Sequence, residues 1–72
     1  MLSSDTRVRN RLKEIRTARG LTQAALAEQA GFSRKRVNTI ENGVFVPSVL
    51  VALKLAQVLK TTVEALFEVE SR

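Results

Sequence analysis

Cysteine and histidine are both absent from this 72-residue chain. Their absence excludes disulfides, zinc clusters, haem ligation and every triad or dyad built on histidine. A cysteine-free chain also suits a reducing cytosol. No apolar run approaches the ~20 residues of a membrane span. The N-terminal segment holds Asp5, Arg7 and Arg9 but no apolar stretch, so it does not read as a secretion signal. Catalysis finds no foothold: no nucleophile has a candidate base, there is no glycine-rich phosphate loop, and the carboxylates are scattered. No enzyme, cofactor or metal is therefore expected, and the expected compartment is the cytoplasm. At 72 residues the chain makes one small domain. Such a domain buries only about 60% of its unfolded surface, so stability must come from tight helix packing or from a partner chain.

Charge is present and unevenly placed. Residues 1–43 hold nine basic and four acidic side chains, whereas residues 44–72 hold three of each. The whole excess of +5 thus lies in the front part, which points to a polyanion as partner there. The alternative is a solvated basic face.

Three glycines and one proline punctuate the chain, and the segments between them read as helices. Val8, Leu12 and Ile15 make an apolar face for a first helix over roughly 9–19, stopped by Gly20. A second helix spans about 23–30, with Thr22 as N-cap, Leu21 and Leu26 spaced as a hydrophobic staple, and Leu26, Ala27 and Ala30 inward. Gly31 ends it. The third repeats this grammar: Phe32 precedes the cap, Ser33 caps, Val37 completes the staple, Ile40 continues the inner face, and Gly43 follows the end. Only Phe32 and Ser33 separate Gly31 from the third helix, which is the layout of a helix-turn-helix. After the loop through Pro47, a fourth helix over 49–59 is apolar around most of its circumference, so it is central or faces a second chain. Thr61 with Glu64 fits a capping box for a short fifth helix over 63–67, with Thr62 as the other possible cap. The ends alternate in character, Arg7-Val8-Arg9 basic and Phe67-Glu68-Val69-Glu70 acidic. They either pair as antiparallel strands with opposite charges across the ladder or fray.

Two charges fall on inward faces. Arg16 follows Leu12 by four residues and Glu41 follows Val37 by four. Buried charges need partners, so the two are expected to pair and pin the first helix to the third. Three more charges sit at an unfavourable end. Arg34, Lys35 and Arg36 occupy the first turn of the third helix, where the helix dipole opposes cations by about 0.3–1 kcal/mol each. A ligand that stabilises them is implied, and this is where a major-groove reader needs cations. With Val37 and Ile40 inward, Lys35, Asn38, Thr39 and Asn42 point outward and Arg34 lies near the tip. Arg34, Lys35, Asn38 and Thr39 are assigned to base edges and Arg36 to phosphate. Gln23, at the start of the second helix, is placed to clamp a phosphate with its side-chain amide and the backbone N–H groups around it.

The ordered set Leu21-Thr22-Gln23-Ala24-Ala25-Leu26-Ala27, Gly31-Phe32-Ser33-Arg34, Ile40-Glu41-Asn42-Gly43, Pro47-Ser48 and Leu66-Phe67 resembles the phage-repressor and Cro-type helix-turn-helix family over about residues 12–67. The resemblance implies an all-α fold of five helices, with the second and third forming the DNA-binding unit at about 22–42. Residues 1–11 would be an arm or short strand and 68–72 a tail. It implies that Gln23 contacts phosphate and braces the third helix, that Asn42 lies near the DNA backbone, and that Arg16 and Glu41 form a bridge. With Thr22 and Arg16, the expected phosphate set is Thr22, Gln23, Arg16, Arg36 and Asn42. Val44-Phe45-Val46 departs from the basic residues that relatives often carry there, Leu50 stands where a polar residue is common, and Lys60 stands where glycine is common. The dimer surface is sought among Phe45, Leu50, Leu66 and Phe67.

The function so implied is that of a homodimeric, sequence-specific regulator of transcription, expected to be a repressor, at a bacterial or phage nucleoid. Double-stranded DNA is its partner, and its third helix enters the major groove of a near-palindromic operator. The alternative is an antitoxin or other interaction module that binds DNA only with a partner. Contact with RNA polymerase or a toxin stays open. A membrane-surface role would need cations flanking an apolar helix, and the fourth helix offers only Lys54 and Lys60.

Overall fold

Short polar caps and left-handed stops divide the chain in the computed structural model, which describes residues 7–44 and 46–70. The elements are β1 (Arg7–Asn10), α1 (Leu12–Ala18), α2 (Gln23–Ala30), α3 (Arg34–Glu41), α4 (Val49–Leu59), α5 (Val63–Leu66) and β2 (Phe67–Glu70). Hydroxyls open four of the five helices. Thr22, Ser33, Ser48 and Thr62 accept from the backbone N–H of Ala25, Arg36, Val51 and Ala65 respectively, at 3.0–3.2 Å. Each satisfies one of the orphan donors of a first turn. α5 is therefore capped by Thr62, not by Thr61 of the expected capping box. α1 has no cap from Arg11; instead Asn10 Oδ1 accepts from Leu12 N at 2.9 Å.

α1 to α4 stop in the same way. The N–H groups of Leu21, Phe32, Val44 and Thr61 reach back five residues to the carbonyls of Arg16, Ala27, Thr39 and Ala56 at 2.8–3.2 Å. This closure needs a left-handed residue just past the helix. Glycine supplies it after α1, α2 and α3, but Lys60 supplies it after α4, with φ 56°.

α1 begins at Leu12, three residues later than the sequence pattern suggested. Val8 is not on its face but in β1. α5 stops at Leu66, and Phe67 opens β2. The two strands pair antiparallel, with Val8 opposite Val69, Arg9 opposite Glu68 and Asn10 opposite Phe67. Of the two readings for the chain ends, the ladder is the one adopted. Arg11 adds to it: its N–H donates to Leu66 O at 2.8 Å, and its guanidinium meets Glu68 at 2.7 Å.

The core lies where the five helices converge. Leu12, Leu26, Val37, Ile40, Leu55, Leu59 and Leu66 are fully buried, with Ala27, Ala30, Val51 and Ala56 beside them. Burying a side chain of this size is worth about 1.5–3 kcal/mol. Ile15, Leu21, Phe32, Val58, Val63 and Phe67 pack around this cluster. Leu66 therefore belongs to the core of the domain, and its placement on a dimer surface is corrected. Phe45 lies outside the described residues.

A β-carbon in the left-handed region costs about 1–2 kcal/mol, only partly offset by a lysine charge at a helix C-terminus. Lys60→Gly should raise stability by about 0.5–1 kcal/mol. The check is a higher urea midpoint at unchanged m-value.

Candidate nucleic-acid interface

α2 and α3 meet through a two-residue turn, and α3 is fastened from behind. Its buried stripe is Val37 and Ile40. Apolar contact alone leaves a helix free to slide and roll, and the polar contacts remove that freedom. Arg16 Nε donates to Glu41 Oε2 at 2.5 Å and Nη2 donates to Oε1 at 3.2 Å. The Arg16 Nη1 donates to Leu21 O at 2.7 Å. The two side chains are only 9% and 2% exposed, so the pair expected from the two inward positions is formed and is shielded from water. Gln23 completes it, donating from Nε2 to Glu41 Oε1 at 2.9 Å and to Asn38 Oδ1 at 3.0 Å. Among the described residues no buried side-chain polar atom lacks a partner.

This arrangement changes two assignments. Arg16 is buried with all three of its guanidinium nitrogens donating to Glu41 and Leu21, so its guanidinium does not reach toward a phosphate. The Gln23 side-chain amide has both protons committed within the protein, and only the backbone N–H groups of the α2 first turn remain to meet an anion. Thr22 is exposed, and its hydroxyl oxygen already caps α2.

The outer face of α3 is open. Arg34, Lys35, Arg36 and Asn38 are exposed, Thr39 is half-buried, and Asn42 is exposed just past the helix end. Thr39 Oγ1 donates to Lys35 O at 2.8 Å, which turns its hydroxyl to the helix and leaves the methyl as its distinctive contact group. Asn38 keeps its Nδ2 donors while Gln23 holds its oxygen, so its amide is oriented before any ligand arrives. Arg36 lies 5.6 Å from the Phe32 ring centroid. Lys54, on α4, lies 5.8 Å from the same ring. Four cations thus gather around the first turn of α3, each ring contact being worth about 0.5–1 kcal/mol at an exposed site.

Two participants were missed in the sequence. Lys54 has no sequence signal, because only the fold brings α4 beside Phe32. Asn10 had one: a side-chain acceptor two residues ahead of an apolar-periodic run competes for the first helical N–H. Its Nδ2 also donates to Ile40 O on α3, at 2.5 Å.

Comparison with known proteins settles the family. The helix-turn-helix family matches residues 12–66. The chain belongs to it. A curated helix-turn-helix relative is the uncharacterized HTH-type transcriptional regulator YgzD of Bacillus subtilis, 38% identical over 63 residues, covering 88% of this chain and 96% of YgzD. Among solved structures, the restriction-modification controller protein C.AhdI from Aeromonas hydrophila superposes with a TM-score of 0.72 at 41% identity, over 75% of this chain and 82% of that one. SinR, the master regulator for biofilm formation, in complex with DNA matches with a TM-score of 0.71 at 31% identity, over 75% and 87%. In the SinR/SinI complex the chain spans 54% of the matching chain. The protein therefore has the DNA-binding fold of helix-turn-helix transcriptional regulators, of the Cro and repressor type that its motifs resemble.

Removing one partner of a buried ion pair strands the other, at a cost of about 3–5 kcal/mol. Glu41→Ala should therefore abolish or sharply lower the cooperative thermal transition seen by circular dichroism, and an unchanged melt would contradict the shielding of the pair.

Proposed function

We propose that this helix-turn-helix regulator is a homodimeric, sequence-specific repressor that lays α3 of each subunit in the major groove of a near-palindromic operator. The observation that carries this reading is α3 itself. It is locked from behind by a buried ion pair, while Arg34, Lys35, Asn38 and Thr39 project from its outer side at the spacing of a base-reading face. Arginine and lysine donate to guanine, asparagine pairs with adenine, and the threonine methyl meets thymine. Arg36 and Asn42, with the N–H groups at the start of α2, take phosphates. Repression follows from occlusion of a promoter in the cytoplasm.

The dimer surface is the outward side of α4 with the loop before it. Val44, Val46, Val49, Leu50 and Leu53 are all exposed there. An apolar groove of about 210 Å³ continues the patch, lined by Val46, Pro47, Val49, Phe67 and the cross-strand pair Val8 and Val69. Contiguous exposed apolar surface of this kind marks an interaction site. A two-fold related copy presents the same surface to itself. On a two-fold operator the two copies of α3 are expected about one helical turn, ~34 Å, apart, or a multiple of that.

Two measurements test this. Arg34→Ala and Lys35→Ala should each weaken operator binding by about 1–3 kcal/mol and relax base preference at one position; equal losses on all sequences would make them phosphate contacts. Leu50→Glu should give a monomer in sedimentation with its melt retained as a monomer transition, and an intact dimer would place the interface elsewhere.

A further inference from the structure

We propose that Asn10 is a positioning residue for DNA reading, holding the angle of α3 from the terminal β-ladder; this rests on α3 being the reading helix. The Asn10 amide makes two bonds of opposite sense. Its Oδ1 accepts from Leu12 N at 2.9 Å and its Nδ2 donates to Ile40 O at 2.5 Å. A flipped amide would face an N–H with an NH2 and a carbonyl with an oxygen, so the chemistry fixes its orientation. One side chain in β1 thus starts α1 and grips α3.

The grip falls where it has most leverage. Among the described residues, every side-chain bond between α3 and another element lies in the C-terminal half of the helix: Gln23 on Asn38, Asn10 on Ile40, and Arg16 with Gln23 on Glu41. The first turn, with Arg34 and Lys35, has no such anchor among the described residues. The first turn is held by the short turn from α2 and by the buried Val37, so the polar bonds at the other end are what fix the roll and tilt of α3. Eight residues span about 12 Å, so a tilt of about 10° at that end moves the tip by about 2 Å. Base-edge hydrogen bonds do not survive such a displacement, whereas long cationic side chains still follow a phosphate. Asn10 is the only one of these anchors that comes from the ladder, and β1 is itself registered by β2, with Asn10 opposite Phe67.

The test compares wild type, Asn10→Ser and Asn10→Asp on an operator selected by the wild-type protein from random DNA, and on a random duplex, far below every melting temperature. Both variants keep an oxygen for Leu12 N and lose the bond to Ile40 O, aspartate because a carboxylate has no donor and serine because its hydroxyl is too short to reach, without adding charge. Operator affinity should fall roughly threefold to tenfold, the worth of one net hydrogen bond, while random-duplex affinity changes less than twofold. An unchanged ratio of the two affinities overturns the proposal, even if the melt falls. In the wild-type protein the Asn10 Nδ2 protons should also exchange slowly by NMR, and more slowly on the operator. Exchange at the rate of a free amide overturns the proposal without any variant. A wild-type protein that selects no operator would sink the DNA-reading function instead, and slow exchange would still be found.

Discussion

The buried pair between Arg16 and Glu41 is the constraint on which the rest depends. Hydrophobic burial is non-directional, so Leu12, Leu26, Val37 and Ile40 can bring three helices together without specifying how they lie. An ion pair that has lost its water is directional. Glu41 accepts from Arg16 and Gln23, and Arg16 also donates to Leu21 O. One carboxylate thereby ties α3 to α1 and to the start of α2. Its contribution is to geometry more than to net stability, since desolvation offsets much of the attraction.

The same bond explains why Gln23 serves the helix before it serves a ligand. Its amide sits between Asn38 and Glu41, so the outer face of α3 is organised in advance. Little ordering is left to be done on binding, and side chains fixed in advance bind with less entropic cost. Arg34 and Lys35 are the exception, being exposed on the first turn of α3. Their mutual repulsion and the helix dipole both favour an anion there.

Much of this was legible in the chain. Thr22, Ser33 and Ser48 mark helix starts because a hydroxyl there has a backbone donor to satisfy. Gly31 and Gly43 mark stops because the left-handed turn excludes most side chains. The inward positions of Arg16 and Glu41 follow from counting residues around a helix. The failures are equally physical. Val8 fits a helical face and a strand equally well, because a single apolar residue carries no period of its own; only the partner strand decides. Thr61 and Thr62 are adjacent hydroxyls, and the choice between them is made by the left-handed Lys60. Leu66 falls inward with Val63 of the short fifth helix and Phe67 just after it, and the full burial of Leu66 leaves nothing of it for a partner surface. Lys54 beside Phe32 and Asn10 beside Ile40 are contacts between segments distant in sequence, which no local pattern encodes.

The β-ladder has a consequence for the order in which the molecule assembles. α2, α3 and α4 are neighbours in the chain as well as in space, so their contacts close short loops. β1 and β2 come from opposite ends of the described chain, and closing that loop carries the largest entropic cost. A two-stranded ribbon is marginal alone, so it can zip only onto a helical body already in place. The ribbon is therefore expected to be the last part to form and the first to open. Opening of the ribbon would withdraw Asn10 from Ile40 and from Leu12 N together, so the start of α1 and the aim of α3 are tied to the same strand.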